Sequence, residues 1–280
     1  YEPVVNLEKL SNLYKKHGID GRPNFLYMTL PGSLLDRFAG ERGYRRIELQ
    51  PDNDNTTAGR HSAPLTRGSL YPLALASVPL DEWMENTWLR DEHIQTAWRL
   101  SAFLNTQASR GCDKITLILP KAWAGAGLWT KQNFEESLGK REDFGLKVVI
   151  GENIKLANYR APKEKNQDRC FLAVHVKEFG NTDAVKIAAL RRAGYPVAVV
   201  TLNAADLSRY MQFIHYTVFG IGFLQNMNFV TQPGVELYKA ITNRIYAEAK
   251  TVGGIEKTKE WVATHGSTKR AKFRGLLTLH

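Results

Sequence analysis

The run Lys114-Ile-Thr-Leu-Ile-Leu-Pro120 is almost continuously apolar and is closed by a proline. Such a run is typical of a β-strand that is buried on both faces. The residues after it predict a helix over 121–139 that stops at Gly139. A second apolar run, Leu146-Lys-Val-Val-Ile150, follows. Strand, helix and strand in this order predict an α/β unit with parallel strands.

The same alternation continues along the chain. The run Arg169-Cys-Phe-Leu-Ala-Val-His-Val176 predicts a strand, and a helix is predicted over 182–193. A further strand over 196–201 and a helix over 204–224 complete the series. Because near-continuous apolar strands alternate with helices, the predicted fold class is α/β, with a parallel sheet flanked by helices in three α/β/α layers.

The upstream part of the chain has fewer strands. Strands are predicted over 24–29 and 44–49. Two strands are too few for the ~4–6 of a usual sheet, so the sheet in this upstream part is expected to be incomplete. A mainly helical section follows over 70–109, with a break near Asp91. Trp98 lies at helical spacing in this section, which favours a place in the core.

The predicted helix over 121–139 carries a candidate proton-transfer group. Gln132, Glu136 and Lys140 are four residues apart, so a helix would place them on one face. A carboxylate between an amide and an ammonium group is suited to moving a proton. The alternative is a solvated Glu/Lys face, which for such a triple alone is the commoner case.

Composition and cysteine placement exclude several classes of protein. The 280 residues are 43% hydrophobic and 24% charged, as in ordinary globular proteins. No apolar run approaches the ~20 residues of a membrane span. Cys112 and Cys170 lie at strand edges without metal-ligand spacing. They are therefore expected to be small buried hydrophobes in a reducing compartment, and no metal site is predicted.

The net charge of +10 leaves the partner open. An anionic small substrate, a polyanionic partner or solubility would each account for it. The densest basic cluster is Lys269-Arg-Ala-Lys-Phe-Arg274. The predicted location is the cytoplasm; since the chain starts at Tyr1 without a signal-peptide pattern, a processed start and an organelle remain the alternative.

Three separated motifs are informative together. They are Gly59-Arg-His-Ser62, Gln132-Asn-Phe-Glu-Glu-Ser-Leu-Gly-Lys140 and Gln232-Pro-Gly-Val-Glu-Leu-Tyr-Lys239. In order and approximate spacing they resemble three signatures of phosphoglucose isomerase. The stretch Thr29-Leu-Pro-Gly-Ser33 looks like the first sugar-isomerase (SIS) subdomain of the variety fused to transaldolase. The resemblance covers most of residues 22–250.

The resemblance implies a role for each matched residue. Glu136 would take the C2 proton and return it at C1 through a cis-enediol, and Arg60 would stabilise the negative charge of that intermediate. Lys239 would act at the sugar oxygens or in ring opening. For Glu136 the alternative is a helix-surface acid, and for Lys239 a surface lysine paired with Glu236. The implied substrate-binding residues are Gln132, Gln232, Gly59 and Ser137.

The resemblance also implies an arrangement of the site and the domains. Arg60, Gln132, Glu136 and Lys239 are expected to meet in one cleft at the carboxyl ends of the second subdomain's strands. The family's Ser/Thr-rich phosphate loop and ring-opening histidine have no match in the sequence. His61, His175 and His215 are expected to be packing residues instead. The expected domains are a partial first SIS subdomain at 1–55, a connecting section at 56–110, the second SIS subdomain at 111–227, and a C-terminal helix with a basic tail at 228–280.

Two functions follow from these features. The first is the isomerisation of glucose-6-phosphate to fructose-6-phosphate, without cofactor or metal, in a homodimer or larger assembly. The second is a diverged, non-catalytic SIS-fold subunit with a structural role or a polyanion such as nucleic acid as its partner. The matched motifs favour the first function, and the missing phosphate loop, the missing histidine and the basic charge favour the second.

Overall fold

The computed structural model describes residues 2–49, 61, 63–159, 168–180, 183–231 and 233–265. These residues belong to two compact units. The larger unit comprises Met28–Leu30 and Arg46–Gln232. The smaller unit comprises Tyr1–Tyr27, Pro31–Arg45 and Pro233–His280.

The secondary-structure elements follow the predicted alternation of strands and helices. The strands are β1 Leu26–Met28, β2 Arg45–Ile47, β3 Lys114–Ile118, β4 Lys147–Val149, β5 Arg169–Val176 and β6 Val197–Leu202. The helices are α1 Glu2–Lys16, α2 Leu34–Gly40, α3 Arg67–Leu75, α4 Leu80–Thr87, α5 Asp91–Ser109, α6 Ala124–Leu138, α7 Ala184–Arg192, α8 Leu207–Leu224, α9 Pro233–Val252 and α10 Lys259–His265.

The larger unit is built on a parallel sheet with the strand order β4-β3-β5-β6. Ile115 pairs with Val148 on one side and with Cys170 on the other, and Phe171 pairs with Val197. The central strands are buried along most of their length. The predicted parallel sheet is confirmed, and β5 has the predicted bounds.

Helices cover both faces of this sheet. Alternate strand residues point to opposite sides, so each face has its own apolar side chains that a helix must bury. On one face Ile115 packs in a core cluster with Phe134 of α6 and Ile214 of α8. On the other face Phe171 packs in a second cluster with Leu190 of α7. The predicted α/β/α layering is therefore confirmed.

The connecting helices pack onto the same core. Helices α4 and α5 are separated just before Asp91, where the break was predicted. The Ser101 hydroxyl on α5 donates a 2.8 Å hydrogen bond to the Thr217 carbonyl on α8. Trp98 is 54% exposed, so its predicted core position is wrong. None of the helices within the described residues is long and apolar enough to span a membrane.

The smaller unit contains short elements with clear local causes. Helix α1 is followed by Gly18, whose φ of 67° favours glycine. Helix α2 is capped by Ser33, whose hydroxyl accepts a 3.1 Å hydrogen bond from the Asp36 N–H. The Ser11 and Tyr44 hydroxyls lie 2.7 Å apart.

The predicted pair of upstream strands is present. β1 and β2 form a two-stranded sheet, and the described residues add no third strand to it. The two strands are those that the sequence predicts, and their assignment to an incomplete first subdomain stays a prediction. The domain boundaries predicted above stay a proposal.

The C-terminal part of the smaller unit is helical. The helix predicted after Gln232 is α9, and α10 was not predicted. Arg244 of α9 pairs with Glu260 of α10 at 2.7 Å. The predicted final strand over 273–279 and the basic cluster lie outside the described residues.

Candidate active site

Helix α6 carries the predicted base, and its end is fixed by a glycine. The Gly139 N–H donates a 3.0 Å hydrogen bond to the Glu135 carbonyl. A Cβ at Gly139 would come within 2.6 Å of that oxygen, so a larger residue would not fit without a shift. The predicted helix stop is confirmed. Lys140 lies beyond the helix, so the prediction that it shares a helical face with Glu136 is wrong.

Gln132 and Glu136 form a hydrogen-bonded pair on the outer side of α6. The Gln132 Nε2 donates to the Glu136 Oε2 at 3.1 Å. Gln132 is exposed and Glu136 is half-buried, whereas Phe134, midway between them in the sequence, is fully buried. The two residues are called the α6 pair below. Ser137, predicted to bind substrate, is fully buried and does not share this outer side.

The α6 pair lies near the amino ends of the strands. Helix α6 begins just after β3 ends and runs back along the sheet. Glu135 accepts a 3.0 Å hydrogen bond from the Val148 N–H, and it borders a hollow of about 450 Å³ together with Asp113 and Lys147. Asp113 precedes β3, and Lys147 is the first residue of β4. The prediction that Glu136 lies at the carboxyl ends is therefore wrong.

An aromatic cluster connects the first motif to α6. The ring centroid of His61 lies 5.4 Å from that of Phe219 and 5.8 Å from those of Phe229 and His215. The His215 ring lies 5.1 Å from Trp129 of α6. His215 is 1% exposed. His61 and His215 therefore pack among aromatic rings, as predicted. His61 follows Arg60 in the chain, and the His215 ring links it to Trp129 of α6.

The remaining predicted residues lie either outside the described residues or in the smaller unit. Arg60, Gly59 and Gln232 lie outside the described residues. Lys239 belongs to α9 of the smaller unit, where its Nζ pairs with the Glu236 Oε1 at 2.8 Å. Both side chains of this pair are mainly exposed. This is the surface pairing that the sequence analysis gave as the alternative for Lys239.

Asn133 is a buried polar residue beside the α6 pair that sequence reasoning missed. Its side chain is 1% exposed, and neither Nδ2 nor Oδ1 has a hydrogen-bond partner in the part of the chain that the structure describes. It follows Gln132 directly. Its helical spacing from the buried Thr130 and Ser137 was the signal that could have predicted its burial.

Hydrogen bonds of one arginine hold the loop after α6 in place. Arg141 donates two 2.8 Å hydrogen bonds to the Asp143 carboxylate and a 3.1 Å bond to the Gln225 carbonyl. Its guanidinium group lowers the pKa of the Asp143 carboxyl. The hydrogen bond to Gln225 links the end of α6 to the end of α8.

Cysteines and potential metal ligands do not form a second functional site among the described residues. Cys112 and Cys170 are both buried, as predicted. Burial raises the pKa of the Cys170 thiol to about 12. Within the described ranges no group of three His, Cys, Asp or Glu residues could hold a metal ion.

Solved structures share the fold. A hypothetical protein from Thermus thermophilus matches with a TM-score of 0.71 and 20% identity over 88% of this chain and 69% of its own. A glucose-6-phosphate isomerase from Chlamydia trachomatis matches with a TM-score of 0.70 and 16% identity over 99% of this chain and 60% of its own. At these identities the likeness establishes the SIS-type α/β fold class. No protein-family model matches the chain.

Curated relatives add a distant sequence similarity. The chain is 25% identical over 283 residues to the glucose-6-phosphate isomerase of Clostridium novyi. The aligned region covers 85% of this chain and 61% of that protein. The corresponding isomerase of Clostridium tetani is also 25% identical, over 285 residues and 62% of its length. The chain thus spans a little over 60% of the length of these relatives. It is a protein similar to glucose-6-phosphate isomerases.

Proposed function

We propose that the protein is a sugar-phosphate aldose-ketose isomerase that converts glucose-6-phosphate to fructose-6-phosphate. The observation that carries the proposal is the hydrogen-bonded α6 pair, in which a half-buried carboxylate is oriented by an amide. The sequence similarity to glucose-6-phosphate isomerases supports it. Assembly as a homodimer or larger complex and a cytoplasmic location are part of the proposal.

Glu136 is the proposed base. Moving the carbonyl between C1 and C2 requires a group that removes a proton from one carbon and returns it to the other. A carboxylate suits this task, because it can hold the proton between the two steps. The Gln132 amide donates to one oxygen of the carboxylate and thereby fixes its orientation toward the substrate.

The charged partners of the base are proposed from the motifs. Arg60 stabilises the enediolate, because a guanidinium group stays charged while the negative charge develops. The aromatic cluster supports this role, since it packs the neighbouring His61 beside α8 and within one ring of α6. Lys239 acts at the sugar oxygens, which requires its ammonium to leave Glu236. Gly59 and Gln232 bind substrate, whereas the buried Ser137 supports the helix.

A coupled assay for fructose-6-phosphate tests this function. Glu136→Gln keeps the shape of the side chain and removes the base, so its rate should fall by ~10²–10⁴. Glu142→Gln makes the same charge change at an exposed position just beyond α6 and should keep the wild-type rate. Circular dichroism checks that both variants are folded. Equal rates in wild type and Glu136→Gln would refute the proposed base, and an inactive wild type would contradict the isomerase function.

A further inference from the structure

The proposed base lies in the part of α6 that the helix itself holds least firmly. Glu136 is in the last turn of the helix, which ends at Leu138. The carbonyl groups of a last helical turn have no partner further along the helix, so helix ends open more easily than helix centres. A base has to keep its place relative to the substrate, because a displacement of about 1 Å can cost up to ~100-fold in rate. Contacts just beyond α6 can therefore control the position of Glu136.

Arg141 joins the chain beyond α6 to helix α8. All three nitrogen atoms of its guanidinium group donate hydrogen bonds. Nε and Nη2 donate to the two carboxylate oxygens of Asp143 at 2.8 Å, and Nη1 donates to the Gln225 carbonyl at 3.1 Å. The bidentate pair with Asp143 fixes the plane of the guanidinium group. Gln225 is the C-cap residue of α8, and a helix C-terminus favours a positive charge.

The end of α8 to which Arg141 binds is itself well fixed. The Asn226 N–H donates to the Phe223 carbonyl at 3.0 Å, and Asn226 has a φ of 47°. The Met227 N–H donates to the Gly222 carbonyl at 2.8 Å, and Met227 is 8% exposed. These two bonds form a Schellman motif, which satisfies the carbonyl groups at the end of a helix.

The side chain of Gln225 extends the connection to α5. Its Nε2 donates a 2.5 Å hydrogen bond to the Asn105 Oδ1. Gln225 thus accepts a hydrogen bond from Arg141 through its backbone and donates one to α5 through its side chain. The segment beyond α6 is therefore connected to two further helices of the larger unit.

We propose that Arg141 is a positioning residue for Glu136. The inference rests on the isomerase function proposed above. The guanidinium group holds the last turn of α6 against the end of α8, so that the Glu136 carboxylate keeps one position while it removes and returns the proton. Arg141 directly follows Lys140, the last residue of the second matched motif, so the resemblance assigns it no role.

Steady-state kinetics in the coupled assay test this role. Arg141→Gln should lower kcat about tenfold at an unchanged KM, because the base is displaced while the substrate-binding residues stay in place. Arg141→Lys keeps the charge but cannot form the bidentate pair, so it should recover only part of the loss. Arg110→Gln is the matched control, because it makes the same change at an exposed arginine that caps the end of α5. It should keep the wild-type kcat.

A double-mutant cycle separates positioning from a general loss of structure. In the Glu136→Gln background, Arg141→Gln should cause no further loss, because the group that it positions is already absent. A general effect on folding would instead lower the residual rate of Glu136→Gln by the same factor as the wild-type rate. That result, or a tenfold loss in Arg110→Gln as well, would overturn the proposal.

Hydrogen exchange tests the contact with α8 without substrate. The backbone amides over 134–139 should exchange about fivefold faster in Arg141→Gln than in wild type, because the lost hydrogen bonds are charge-assisted but partly exposed. The amides of β5 should exchange at the wild-type rate. Equal exchange over 134–139 in both proteins would overturn the positioning role alone. A wild type without activity in the assay would instead refute the isomerase function on which the role rests.

Discussion

Replacing Asn133 by leucine should stabilise the larger unit and reduce isomerase activity. The Asn133 side chain is 1% exposed, and both of its polar atoms are without a hydrogen-bond partner among the described residues. A natural sequence rarely keeps a buried amide in this condition, because its desolvation is not compensated. A polar group next to the proposed Gln132–Glu136 pair is therefore expected to serve the site at a cost in stability.

The magnitude follows from the unpaired amide. A buried polar group without a partner costs about 1–3 kcal/mol, and an apolar replacement of similar volume removes that cost. Leucine at position 133 should thus raise the free energy of unfolding by about 1–2 kcal/mol. For a chain of this size that corresponds to an increase in Tm of roughly 2–8 °C.

Urea unfolding followed by tryptophan fluorescence measures the change. Asn133→Leu should raise the midpoint without changing the m-value, since the surface exposed on unfolding stays the same. Asn133→Ala is the control: it also removes the amide but leaves a void, so it should be less stable than Asn133→Leu. A loss of more than about 1 kcal/mol in Asn133→Leu would show that the amide has a partner and would refute the reasoning.

Two further predictions concern packing and pH. Gly220→Val should destabilise the protein by about 1–3 kcal/mol in urea unfolding, because a Cβ at Gly220 would lie 2.4 Å from the Ser101 hydroxyl oxygen. The control is Gly125→Ala, which should be neutral or stabilising, because the added Cβ would meet no neighbouring atom within 4 Å. Burial raises the pKa of the Cys170 thiol from 9.0 to about 12. As the pH rises, the unfolded chain therefore loses this proton before the folded protein does. The free energy of unfolding should fall between pH 9.0 and about 12. Cys170→Ala should flatten that fall, and an unchanged pH profile in this variant would contradict the assignment.

Most of the larger unit could be predicted from the sequence. The strand over Arg169–Val176 is continuously apolar from Cys170 to Val174, and Gly139 ends α6 at the predicted place. In both cases a local cause determines the structure: burial of a whole strand in one and a backbone position without room for a Cβ in the other. The separation of α4 from α5 just before Asp91 was predicted because the helical section is longer than most helices.

The errors concern relations that local patterns do not encode. Glu136 was placed at the carboxyl ends of the strands, although a helix that starts there must end about 20 Å away, at the amino ends. Trp98 has helical spacing, but the spacing does not say whether another element covers that face, and it is 54% exposed. Asn133 was missed, because an amide side chain is usually exposed, whereas this one is buried. The position of Glu136 relative to the strands was therefore predicted wrongly, and the roles of the candidate site residues stay predictions.

Exchange of the C2 hydrogen of glucose-6-phosphate with solvent deuterium tests the role of Glu136 most directly. A base that holds the abstracted proton beside the enediol allows it to exchange with D2O, and nuclear magnetic resonance can follow the loss of the C2 signal. The wild-type protein and Glu142→Gln should exchange this hydrogen at equal rates, and Glu136→Gln should be slower by ~10²–10⁴. Exchange by Glu136→Gln at the wild-type rate would contradict the assignment of Glu136 as the base.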